Sequence, residues 1–167
     1  MRNLASTWSA AVVGVEALPV EVEVDAGGGK ENFVVVGLAD TAVKESRQRV
    51  KAAVWNSGYS CPKGFITASL APADLKKGGP CFDLPIALGL LACTGQISGE
   101  RLAEWMVVGE LALDGEVRGV RGALAIALLA RASQRSHCAR GQCGGGKCRG
   151  RGSDCARPRF AGGGRGD

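Results

Sequence analysis

A chain of 167 residues, 46% of them hydrophobic, is long enough for one domain with a core, or for a domain plus a tail. Residues 123–130 are apolar but far too few to span a bilayer, and no basic stretch followed by a long apolar one opens the chain, so a cytoplasmic protein without a membrane span is expected. The net charge of +5 is unevenly placed: residues 1–133 carry thirteen Lys/Arg against fourteen Asp/Glu, and residues 134–167 carry eight against two. The first 133 residues therefore make no general electrostatic case for nucleic acid.

Taken in chain order, alternating apolar residues predict two strands of an antiparallel pair at 11–15 and 20–24. Gly27, Gly28 and Gly29 make a turn, and 33–36 is a short apolar strand. Asp40 is placed to N-cap a helix from 41 to about 56, ended by Ser57 and Gly58. Val43, Val50 and Val54 form its buried stripe, with Lys44, Arg47, Arg49 and Lys51 expected outside as a solvated or intersubunit face. A strand at 65–70 precedes a second helix at 82–94, where Pro85 is tolerated in the first turn. A strand at 107–113, a turn at Asp114 and Gly115, and a partner strand at 116–120 lead to a third helix at 122–132.

The most informative stretch is 70–92, LAPADLKKGGPCFDLPIALGLLA. Lys76, Lys77, Gly78, Gly79 and Pro80 run directly into an apolar helix. Small and rigid residues allow close backbone approach, and a helix start supplies free N–H groups. Lys76, Lys77, Gly78 and Gly79 are thus candidates for contact with a phosphate or a nucleic-acid backbone, against the alternative of a solvated basic turn. Asp74 and Asp83 flank the loop without a third ligand, so they read as capping or bracing residues rather than a metal site. Gly27 to Lys30 lacks both the leading glycine and the Ser/Thr of a nucleotide-binding P-loop.

The segments WSAAVVGVEA (8–17), VEVEVD (20–25), FVVVGLADTAVKESRQRVKAAVWNSGY (33–59), ITASLAPADLKKGGPCFDLPIALGLLA (66–92) and VVGELALDGEVRGVRGALAIALLAR (107–131) resemble the N-terminal domain of magnesium-chelatase-like AAA+ proteins of the ComM/YifB type. The resemblance covers about residues 4–132. It implies a Lon-protease-like fold, which fits the α+β domain of mixed sheet with helices packed on one face that the predicted elements make, incomplete at the C-terminus; the change of composition after about residue 133 separates a domain at 1–133 from a tail at 134–167. It also implies that full-length relatives use ATP and magnesium, form rings and act on DNA in recombination during natural transformation. For this chain it leaves no cofactor, a homo-oligomer and DNA as candidate partners, and no membrane.

The Lon-like fold invites a peptidase comparison. On that pattern Cys81 falls where the family's serine stands, while Ala125 and Ala127 fall on the lysines. A nucleophile without a base is inert, so no catalytic residue is assigned; a cysteine hydrolase is the alternative.

Residues 134–167 hold ten of the 26 glycines and four of the seven cysteines. They read as a disordered, basic nucleic-acid-binding tail, as a zinc site from His137, Cys138, Cys143, Cys148 and Cys155, or as out-of-frame text. The cysteine spacing lacks paired C-x2-C knuckles. One base forward from Arg135, the permitted codons can encode ALIVPAANAAAE, a strand, a turn and a helix start. On this reading the domain is incomplete, with no regular strand after about Arg135. Genomic sequence across codons 130–140 is expected to reveal AAA+ motifs downstream in another frame, and restoring that frame is expected to raise the melting temperature.

Overall fold

The fold grows from a hairpin. In the computed structural model, which describes residues 4–139, β1 (Leu4–Val13) and β2 (Glu16–Ala26) pair antiparallel from Leu4↔Asp25 to Val13↔Glu16. The two-residue loop is Gly14 and Val15, with Gly14 at φ +62°. Period-two alternation buries Val20, Val22, Val24 and Ala26 on one face. β3 (Asn32–Val36) pairs parallel with β4 (Phe65–Ala71), and β4 pairs antiparallel with β2. On the other side β1 meets β5 (Trp105–Val108) in parallel. With β8 (Ser136–Ala139) at the far edge, the order is β3-β4-β2-β1-β5-β8, a six-stranded mixed sheet in an α+β domain.

The helices form where the sequence signals stand. α1 (Thr41–Asn56) starts at Asp40, whose side chain accepts the Val43 N–H at 2.9 Å, and ends at Ser57 before Gly58 at φ +84°. Val43, Val50 and Val54 are buried as expected. α2 (Asp83–Cys93) follows a single 3-10 turn at Pro80–Phe82. It is apolar on nearly every side and correspondingly central, with Ile86, Ala87, Leu90 and Leu91 fully buried. Each such Leu or Ile contributes about 2 kcal/mol through removal from water. α1 and α2 share a core with Ala11, Val22, Val24 and Val107.

α3 (Ala123–Ala132) lies elsewhere. Its Ile126 and Ala130 pack with Ala10, Met106, Val108 and Val120. Ala10 and Ala11 are neighbours in β1 and point to opposite faces, as do Met106 and Val107 in β5. α1 and α2 thus cover one face of the sheet and α3 the other at its β1–β5 end, so the helices do not all pack on one face as expected, because the apolar side chains of Ala10, Met106 and Val108 on the second face need their own cover. Just beyond α3 the Arg135 guanidinium stacks 4.1 Å from the centre of the Trp8 ring, extending that cover.

Three further sequence expectations are corrected. The continuous strand at 107–113 is split at Gly109 into β5 and β6 (Glu110–Leu111), and β6 pairs with β7 (Val117–Arg118) in a separate two-stranded ladder. Gly109 leaves the main sheet because its N–H donates to Cys81 O and its carbonyl accepts the Leu84 N–H, both at 3.0 Å. A Cβ there would stand 2.9 Å from Val117 and 3.0 Å from Leu84. Second, of the four basic residues of α1 only Lys44 stays exposed without an ion pair among the described residues; the other three are engaged. Arg49 turns inward to Asp83, Arg47 donates to the Phe33 carbonyl at 3.0 Å, and Lys51 pairs with Glu31 at 2.7 Å. Third, a strand does follow Arg135: β8 (Ser136–Ala139) pairs in parallel with β5 from Trp105↔Ser136 to Val108↔Ala139. Sheet pairing uses backbone groups, and the Gly- and Arg-rich composition that argued against a strand begins only at Arg140. The remainder of the tail, with Cys143, Cys148 and Cys155 of the zinc reading, lies outside the described residues.

Asp83 joins the pieces. Its carboxylate is fully buried and accepts from Arg49 Nε at 2.6 Å and Nη2 at 3.1 Å, from the Ser46 hydroxyl, and from the Leu111 N–H at 3.2 Å. Burial pushes this carboxyl upward, opposed by the bonds from Arg49 and Ser46; Arg49 is held above its ordinary value by its bond to Asp83. Replacing Arg49 with Met strands a buried carboxylate and should cost about 3–5 kcal/mol in urea unfolding. Adding Asp83→Leu to that variant should recover part of the loss, because the stranded charge goes with it.

Candidate functional site

The loop between β4 and α2 is held from below. Asp40, the cap of α1, uses its second carboxylate oxygen to accept the Gly79 N–H at 3.2 Å. Its own N–H donates to Lys77 O at 3.0 Å, and the Lys77 N–H donates to Leu38 O at 3.3 Å. Gly78 lies so close that a Cβ there would stand 3.1 Å from the Asp40 carboxylate, and Gly79 adopts φ +82°. One acidic side chain thus caps a helix and fixes the path of the glycine pair.

The four loop candidates separate in this geometry. Lys76 is exposed and makes no ion pair with a described residue. Lys77 is fully buried, and its ammonium donates to the Pro72 carbonyl; burial lowers its pKa, with Asp74 pulling the other way. It acts as an internal strut rather than a surface cation. Gly79 has given its N–H to Asp40. Of the loop's two lysines, only Lys76 presents an exposed ammonium.

Cys81 sits in the 3-10 turn, packed between the two cores. Its Sγ lies 3.9 Å from Ala10 O and 3.9 Å from Gly78 O, both acceptors. Burial pushes the thiol up to about 12. Ala125 is half-buried on α3 and brings no titratable group, and Asp83 is committed to Arg49. The described residues place no histidine, cysteine and acid cluster of metal-binding type anywhere.

A cleft of about 660 Å³ opens beside Cys81. Residues 76 and 78–81 line it together with residues 119–121, the Ala11 and Val12 segment of β1, Ile126 and Glu110. Gly122, at φ +77°, starts α3 against Val12, where a Cβ would stand 2.7 Å from Val12 Cγ2. Arg121 brings a second exposed cation without an ion-pair partner among the described residues, while Glu110 pairs with Arg118 at 3.4 Å. Arg121 and Val12 carry no motif, and their place in the cleft comes only from the return of the chain after β7. A smaller depression of about 280 Å³ near Phe33 contains the Lys51–Glu31 pair.

Among the described residues no helix is long and apolar enough to cross a membrane. The family model described as subunit ChlI of Mg-chelatase matches residues 22–139, which include α1, the loop, most of the cleft and β8. YifB of Escherichia coli (strain K12) is 48% identical over 125 residues, covering 75% of this chain and 25% of that protein. Competence protein ComM of Haemophilus influenzae is 44% identical over 133 residues, covering 80% and 26%. Rv2897c of Mycobacterium tuberculosis is 42% identical over 128 residues, covering 77% and 25%. The chain spans about a quarter of the length of these relatives. On this match, and on the fold beneath it, the chain belongs to the magnesium-chelatase ChlI-like family, alongside ComM and YifB.

Proposed function

We propose that this chain is a non-catalytic module of a ring-forming, ATP-driven motor that works on DNA during recombination of incoming strands. Its part there is assembly and the shaping of a channel. The competence link is supported by the printed name of the relative, competence protein ComM. The observation that carries the non-catalytic reading is the setting of Cys81. Its sulfur meets two backbone carbonyls, and burial holds the thiol near 12, so the thiolate is scarce at neutral pH.

Two features bear on DNA. Three of the four α1 cations are engaged, Arg49 with Asp83, Lys51 with Glu31 and Arg47 with a carbonyl, while Lys44 is exposed. The excess positive charge instead follows β8, where residues 140–167 carry seven Lys/Arg against two Asp. ATP use belongs on this reading to the part of the relatives that this chain does not match.

Purified protein should leave an unstructured substrate such as casein intact. Iodoacetamide should label Cys81 orders of magnitude more slowly in the native protein than in urea. Casein cleavage lost on Cys81→Ala would defeat the non-catalytic reading. Titration calorimetry should detect no ATP binding at micromolar concentration. Truncation after Ala139, which keeps β8, should remove salt-sensitive DNA binding; retention would shift attention to Lys76 and Arg121.

A further inference from the structure

We propose that the cleft beside Cys81 binds an extended peptide carrying a carboxylate, which adds to the free edge of β1. The backbone makes the first argument. In the β1–β2 hairpin the pair Val13↔Glu16 closes a two-residue loop, so residues 13, 11 and 9 exchange hydrogen bonds with β2. Residues 8, 10 and 12 direct their N–H and C=O to the other side. Trp8 meets β5 there, opposite Met106, and Ala10 O is the atom that Cys81 Sγ approaches. β5 ends at Val108, and Gly109 turns away to Cys81 and Leu84. The outward N–H and C=O of Val12 therefore open on the cleft, with no backbone partner among the described residues.

That edge defines its ligand. It offers a donor and an acceptor side by side, which an added strand satisfies together. A phosphodiester would satisfy the N–H but meet the Val12 carbonyl and Glu110 with like partial charge. Lys76 and Arg121 supply the second argument. They come from separate lining segments, are exposed, and have no ion-pair partner among the described residues, so they complement a carboxylate on the incoming segment. The half-exposed Val12 side chain, over the buried Val120 and Ile126, gives an apolar contact suited to an aliphatic side chain. Because the thiol has no base beside it, the peptide is held and not cut. This reading goes beyond the motor role and does not depend on it.

The test uses the full chain and a fluorescein-labelled hexapeptide, VTVTVE, with a free C-terminus. Anisotropy should show saturable binding between micromolar and millimolar peptide, and hydrogen exchange should show slowed exchange at the Val12 amide. Lys76→Glu and Arg121→Glu should each weaken binding about three- to fivefold without lowering the melting temperature. The same hexapeptide N-methylated at alternate residues should not bind, a control that leaves the protein unaltered. A twelve-residue oligo(dT) should not compete. Equal binding of the methylated peptide, indifference to both charge reversals, no saturable binding up to millimolar peptide, or displacement by oligo(dT) would each overturn the proposal.

Discussion

The structure depends on a carboxylate that has nowhere else to go. Asp83 opens α2 and is fully buried, so its charge must be met inside the protein. It is met by Arg49 and Ser46 from α1 and by the Leu111 N–H from β6. Those partners come from 34, 37 and 28 residues away in sequence, and no other described side chain ties three elements in this way. The apolar core alone would tolerate small slides of α1 across α2. A bidentate guanidinium with a hydroxyl and an amide tolerates few, because each displacement exposes an unpaired charge in low dielectric. The pair is therefore best understood as a device for position. Its net contribution to stability is smaller than the cost of breaking it.

Position matters because the cleft is assembled from the same pieces. The loop at 78–81 runs into Asp83 within two residues, and its other end is held by Asp40, the cap of α1. Two acids on two helices thus bracket the glycine pair. The opposite wall is fixed by glycines: Gly109 lets the chain leave β5 to dock on Cys81 and Leu84, and Gly122 lets α3 begin against Val12. The departure at Gly109 also creates the free edge of β1. A side chain at Gly109 would push Leu84 and Val117 apart, and continuing β5 would cover Val12. The cleft is in this sense what remains when a strand is interrupted.

Much of this was legible from the sequence, in a pattern that follows the range of the interactions. Asp40, the valine stripe of α1 and the apolar α2 rest on neighbours within a few residues and formed as read, and the antiparallel pairing of the first two strands held, but Gly14 and Val15, read as strand, form its turn. Arg49 was misplaced because helical periodicity alone sets it between outer positions, and only a distant carboxylate draws it in. Lys77 was taken for a surface cation for the same reason: its bridge to Ala39 and its bond to the Pro72 carbonyl are made only in the fold. Gly109 was read through because Val107 to Leu113 is otherwise a good strand. β8 was missed because a judgement on overall composition was applied to four residues, 136–139, that contain neither Gly nor Arg. Of the candidate site, the loop was visible and the cleft was not, since Arg121 and Val12 reach it only through topology.

The setting of Cys81 ties the scarcity of its thiolate to the shape of the site. A nucleophile must be exposed, ionisable and beside a base, and each requirement loosens packing at the point where loop, sheet and helix meet. Here the thiol instead fills the junction between the two cores and turns toward Ala10 O, on the same strand edge that continues to Val12. Ala125 and Ala127 on α3 likewise favour close packing over charge. What is left for chemistry is what a rigid polar edge and two flanking cations can do, which is to recognise a partner and hold it.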